Sequence, residues 1–237
     1  MALLESEFLS MTPTIVEIVY QLVVFLFAIS VHESAHAWTA SRCGDPTARM
    51  LGRVSLNPIR HIDLIGTIVL PLVAAISGIP VLGWAKPTPV DPRNFRNPVM
   101  DDILVSVAGP VSNFIVATGA LLLLGGISLS SPSGHELIIG LRNGFSSGSS
   151  GSTLAPVAML LYELMIINIV LAVFNLIPVP PLDGSHVLRH FLPDPARMLY
   201  DRIGIFGLLA LVYLGGGLIW RLIRPFLNFY LSILVKF

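Results

Sequence analysis

A helix that crosses a bilayer needs about 20 mostly apolar residues in a row. Four stretches of this chain reach that length: residues 14–40, 103–129, 154–177 and 203–220. Runs so long predict helices, because a spanning β-strand needs only about 10 residues. A fifth apolar stretch at the end, "RPFLNFYLSILVKF", is shorter and suits either a final span or an interfacial helix. Composition agrees: of 237 residues, 54% are hydrophobic and 12% charged, against about a quarter charged in a soluble domain. The expectation is an all-α polytopic membrane protein forming a single membrane-embedded domain over residues 1–237. Net charge is zero, which argues against nucleic acid as a partner. One cysteine, Cys43, allows no intrachain disulfide. The N-terminal "MALLESEF" is acidic and lacks the basic start of a cleaved signal peptide, so the first apolar run is expected to stay.

Residues 64–82, "LIGTIVLPLVAAISGIPVL", have the length of a span but are interrupted by Pro71, Gly78 and Pro80. Interior proline removes a hydrogen bond and kinks a helix, so this segment either crosses fully or enters and returns. "NGFSSGSSGST" reads as a polar linker. Basic residues gather after the first run (Arg42, Arg49, Arg53, Arg60), before the second (Lys86, Arg93, Arg96) and after the third (Arg189, Arg197, Arg202). The positive-inside rule puts these loops in the cytoplasm and the linker outside. Arg221 and Arg224 fall on the outer side in that arrangement and count against it.

The first run carries "VHESAHAWTA". His32 and His36 stand one helical turn apart on one face, so both imidazoles can share a metal ion. Glu33 lies about 100° round the helix from His32, within reach of a metal-bound water without being a ligand. H-E-x-x-H is the zinc-hydrolase pattern for these reasons, and ionisable groups inside a membrane helix point to function. A catalytic zinc takes three protein ligands and keeps one position for water. Candidates for the third are His61, Asp63, His135, Glu163, Asp183, His186 and His190. Asp183 is favoured: it lies in "FNLIPVPPLDGSH", after a triple proline break at the end of the third run, at the depth of His36. His61 and Asp63 fit anchors for the following helix, and His190 and His135 fit surface positions. Trp38, Trp84 and Trp220 lie near the ends of runs, as interfacial aromatics do.

"HESAH", "AGPVSN" (residues 108–113) and "NLIPVPPLDG" (residues 175–184), in this order, resemble the site-2 protease family of intramembrane zinc metalloproteases. "SLNPIRHIDLIGT" and "GWAKPTPV" resemble a compact bacterial branch of it, and no stretch here is long and soluble enough for the PDZ domain that many members carry. The resemblance implies His32, His36 and Asp183 as ligands of one zinc ion and Glu33 as general base. It also implies Asn113 and Asn175 as active-site asparagines, whose amides could donate to a carbonyl oxygen gaining negative charge or hold the substrate strand.

If His36, Asn113 and Asp183 are to meet, the first run must end on the side where the second begins. Residues 64–82 should then enter as a kinked helix and "GWAKPTPVDP" return extended, since residues before proline disfavour helix. Such a strand could pair with an unwound substrate. The expected function is zinc-dependent cleavage of a transmembrane or membrane-proximal segment near the cytoplasmic face of the cell membrane, with a transmembrane protein as substrate. The competing reading is a non-enzymatic membrane protein, either a metal-binding transporter or an inactive relative that binds helices. A zinc hydrolase acting on lipids or prenylated peptides is a third reading that no residue favours.

Overall fold

The apolar runs fold into long helices. The computed structural model describes residues 15–69, 73, 84–142 and 153–237. In chain order these hold α1 (Ile15–Cys43), α2 (Thr47–Met50), a 3-10 turn (Pro58–Arg60), a π-helical turn (Leu64–Val69), a 3-10 turn (Pro92–Asn94), α3 (Pro98–Ser130) and α4 (Pro132–Arg142). They continue with α5 (Ala155–Asn175), α6 (Asp183–Arg189), α7 (Asp194–Leu214) and α8 (Gly216–Leu234). No strand occurs among the described residues. Three helices, residues 20–43, 98–130 and 155–175, are long and apolar enough to cross a membrane. The chain is an all-α membrane protein.

α3 is the centre of the molecule and packs against α1, α4, α5 and α6. Where lipid surrounds the helices, apolar burial cannot drive them together, so close approach of small residues and polar contacts must do so. Ala28 on α1, Ala117 and Ala120 on α3, and Ala158 and Ala172 on α5 are all buried. Around them Leu121, Leu124, Met165 and Ile169 complete an apolar core, closed at one end by α4 (Leu137, Ile138) and α8 (Ile223, Tyr230, Leu234). Large apolar side chains also point outward, among them Leu22, Val23, Phe27, Val111, Ile115, Leu122 and Leu123. Exposed patches on this scale are a liability in water and the expected surface in lipid.

The ends of the helices are set locally. Pro98 opens α3, and Asp101 in its first turn accepts from the N–H of Asn97 at 2.8 Å, as a capping carboxylate does. α3 starts before the apolar run at residue 103 for this reason. Gly44, with φ of +114°, turns the chain out of α1 and lies so close to Asn94 O that a side chain would collide. α5 stops at Asn175, just ahead of Pro178, Pro180 and Pro181.

Two expectations need correction or completion. Residues 203–220 do not form one straight span: Gly204 is non-helical, the helix ends at Gly215, and residues 206–214 and 217–234 meet at a 78° bend. Three consecutive glycines (215–217) supply no side chains to hold a helix together. α4 was not anticipated, because "SGHELIIGLR" is too short and polar to read as a span. Of residues 64–82, the π-helical turn and position 73 are described, and the rest of that segment's proposed re-entry lies outside the described residues. The linker at 143–152 and the acidic N-terminus lie outside them too. From Trp84 to Asp91 the chain carries neither helix nor strand, in keeping with its prolines.

Candidate metal centre

His32 and His36, one turn apart on α1, point their Nε2 atoms toward each other at 3.0 Å. Asp183, the first residue of α6, brings Oδ2 to 3.1 Å from His32 Nε2 and 3.4 Å from His36 Nε2. Of the seven candidate third ligands, Asp183 is the one the fold delivers. The proline-rich turn after α5 carries it there, and Gly184 lets α6 fold back so tightly that a side chain would collide with Leu176 O. His32, His36 and Asp183 are the group among the described residues that could hold a metal ion.

The other face of each ring is fixed by a distant residue. Asn113 Oδ1 lies 2.6 Å from His32 Nδ1, and Val105 O lies 2.7 Å from His36 Nδ1. A carbonyl oxygen can only accept, so each Nδ1 carries the proton and donates it. A neutral ring then has a lone pair at Nε2. Two lone pairs and a carboxylate oxygen thus converge in a buried space, where they repel unless a positive charge lies among them. A bound cation supplies the charge with both rings neutral and both Nδ1 bonds intact. Asp183 Oδ2 is moreover buried without a hydrogen-bond donor. A donor set of two imidazoles and one carboxylate fits catalytic zinc, which takes three protein ligands and leaves a fourth position for water. α3 passes close against this group at Gly109, where a Cβ would run into both histidine rings.

The remaining predicted residues fall in different places. Glu33 is half-buried beside the histidines, and its Oε2 accepts from Thr88 N at 3.0 Å and Thr88 Oγ1 at 2.7 Å. Asn113 is fully buried between α1 and α5, with its oxygen on His32 and its amide nitrogen donating to Asn168 Oδ1 at 2.7 Å. Asn175 is half-buried at the end of α5, and its nitrogen donates to Leu171 O at 3.0 Å. Asp63 caps the π-helical turn through Ile65 N and Gly66 N, as an anchor should. His61 is buried with Nε2 2.8 Å from Ser55 O. His190, expected at the surface, lies 2.7 Å from Asp102 Oδ2 and ties α6 to α3. His186 is exposed, and His135 pairs with Ser128. Sequence reasoning passed over Asn168, Gly109 and Thr88. An asparagine in "MIINIVLA" and a glycine two residues past Val107 were the available signals for the first two.

Comparison with known proteins agrees with this chemistry. The profile of Peptidase family M50 matches residues 20–214. The chain is 34% identical over 215 residues to the Bacillus subtilis protein named "Putative zinc metalloprotease YwhC", covering 88% of this chain and 86% of that one. It is 28% identical over 177 residues to "Putative zinc metalloprotease Rip2" of Mycolicibacterium smegmatis, covering 74% of this chain and 58% of the relative. Rip2 of Mycobacterium tuberculosis is 29% identical with the same coverage. No solved structure matches. A convergent His–His–Asp group at the end of a membrane helix, within a match spanning nearly the whole described chain, makes this protein a zinc metalloprotease belonging to Peptidase family M50, the site-2 protease family.

Proposed function

We propose that the protein is a multi-pass intramembrane endopeptidase, folded as one domain, that holds one zinc ion per chain on His32, His36 and Asp183. Its substrate is a transmembrane or membrane-proximal segment of another membrane protein, cut near the cytoplasmic face. The convergence of three ligand atoms, each at 3.4 Å or less from another, supports the metal assignment. The basic residues after α1, before α3 and after α5 support the cytoplasmic orientation.

Bound zinc would supply Lewis-acid polarisation of the scissile carbonyl and a water acidified to a pKa of about 7. Glu33 takes the proton of the attacking water on its carboxylate and passes it to the departing amine. Asn113 holds His32 in the tautomer that keeps Nε2 open, and Val105 O does the same for His36. Asn175, half-buried where α5 gives way to the turn before Asp183, is the amide left to face a substrate carbonyl. A helical substrate has to unwind first, because its peptide bonds are shielded and each freed polar group costs several kcal/mol in lipid. Substrates should therefore carry helix-weakening residues at the cut.

The test compares wild type with Glu33→Gln, purified in detergent, for bound zinc and for cleavage of model transmembrane peptides. Zinc in both and cleavage only by wild type is expected. Cleavage by protein lacking zinc, or full activity of the Gln variant, would overturn the proposal.

A further inference from the structure

The segment from Trp84 to Asp91 crosses α1 as a strap fastened at both ends. At one end Trp84 N donates to Gly66 O at 3.2 Å and Lys86 N to His61 O at 2.8 Å. Arg53, itself buried, donates to Arg60 O and reaches Lys86 O at 3.5 Å. At the other end Asp91 N donates to the buried Asp45 Oδ2 at 2.8 Å. Between these anchors Pro87 and Pro89 have no N–H, hold their own φ near −65°, and keep Lys86 and Thr88 out of helix. Thr88 is thus left with an N–H flanked by residues that cannot donate.

That N–H goes to Glu33. Thr88 N lies 3.0 Å and Thr88 Oγ1 2.7 Å from Glu33 Oε2, with Oγ1 also 3.1 Å from Glu33 O. Two donors therefore meet on one carboxylate oxygen, and Oε1 takes no hydrogen bond among the described residues. A glutamate side chain on a helix has three rotatable bonds and much rotamer freedom to lose. Two bonds from an anchored strap restrict it to one orientation while leaving one oxygen for the proton.

We infer that Thr88 is the positioning residue of the general base, holding Glu33 by Oε2 so that Oε1 faces the reacting water. This deepens the reading of Glu33 proposed above and rests on it. A misplaced catalytic group costs up to about 100-fold in rate, so Thr88→Val, which keeps shape and loses the hydroxyl, should lower kcat roughly 10- to 100-fold. KM should hold within about twofold, because substrate binding does not use this contact. Thr88→Ser keeps both donors and should restore kcat, which a role in packing the methyl group would not.

A second readout needs no activity. Glu33→Ala removes the acceptor, so hydrogen exchange in a peptide covering residues 84–91 should speed up, with zinc content unchanged. Thr88→Val with wild-type kcat, Thr88→Ser no better than Thr88→Val, or unaltered exchange in Glu33→Ala would each overturn the inference. Failure of the underlying reading looks different: Glu33→Gln would then stay active, whatever the strap does.

Discussion

The two halves of α3 are built on opposite terms. From Asp101 to Asn113 its buried positions are Asp101, Val105, Ser106, Gly109, Pro110 and Asn113; from Ala117 to Leu124 they are Ala117, Ala120, Leu121 and Leu124. The second half meets α5, α4 and α8 mainly through apolar side chains that need only shape, with one hydrogen bond to α8, Thr118 Oγ1 to the Tyr230 hydroxyl at 2.8 Å. In the first half Val105 O and Asn113 each take one histidine of α1, and Asp102 takes His190 beyond α6. Buried polar groups are tolerable only when paired, so this end is held mainly by directional bonds and the other mainly by packing. The difference separates what makes the bundle stable from what makes it reactive, and mutations should separate the two.

The largest effect is expected at the metal centre. His36→Ala should take zinc content from one per chain to near zero and cleavage to background, while the apolar half keeps the helices assembled. Elemental analysis, cleavage and circular dichroism of one preparation check this together. Next, Leu124→Ala in the fully buried core should cost about 2–5 kcal/mol of stability and leave kcat of the folded fraction intact. Thermal unfolding beside an assay well below Tm reads both. Asn113→Ala should weaken zinc binding about 10- to 100-fold, measured by chelator competition, with a smaller loss of stability than Leu124→Ala, from the partners it leaves unpaired.

The smallest effect is at the strap anchor. Burial pushes the Asp45 carboxyl up, but the Thr47 hydroxyl, the Asp91 N–H, the Asn94 amide and the Thr47 N–H outweigh it and hold it below its ordinary value. A lowered folded-state pKa stabilises above the unfolded value, near ~3.9, and that contribution fades as pH falls through the folded value. Hydrogen exchange over residues 84–91 should therefore rise below about pH 4 in wild type, and Asp45→Asn should lack this acid-dependent rise.

What the sequence made legible follows from the range of the interaction. The spans read from apolar runs at 14–40, 103–129 and 154–177 became α1, α3 and α5, because lipid leaves the backbone no alternative to a helix. The meeting of His32, His36 and Asp183 was legible because spacing on a helix, or a place after a proline break, is a local property. The contacts of Asn168, Thr88 and Asn113 were not, since each is made to a partner 55 or more residues away. The bend at Gly215 shows the converse: average apolarity of residues 203–220 concealed a local run of glycines.

X-ray absorption at the zinc edge of the purified protein is the decisive measurement. Two imidazole nitrogens and one carboxylate oxygen at about 2.0–2.2 Å, lost in Asp183→Ala, is the spectrum expected for a centre shared by α1 and α6. An unchanged zinc environment in Asp183→Ala, or one containing sulfur, would contradict it.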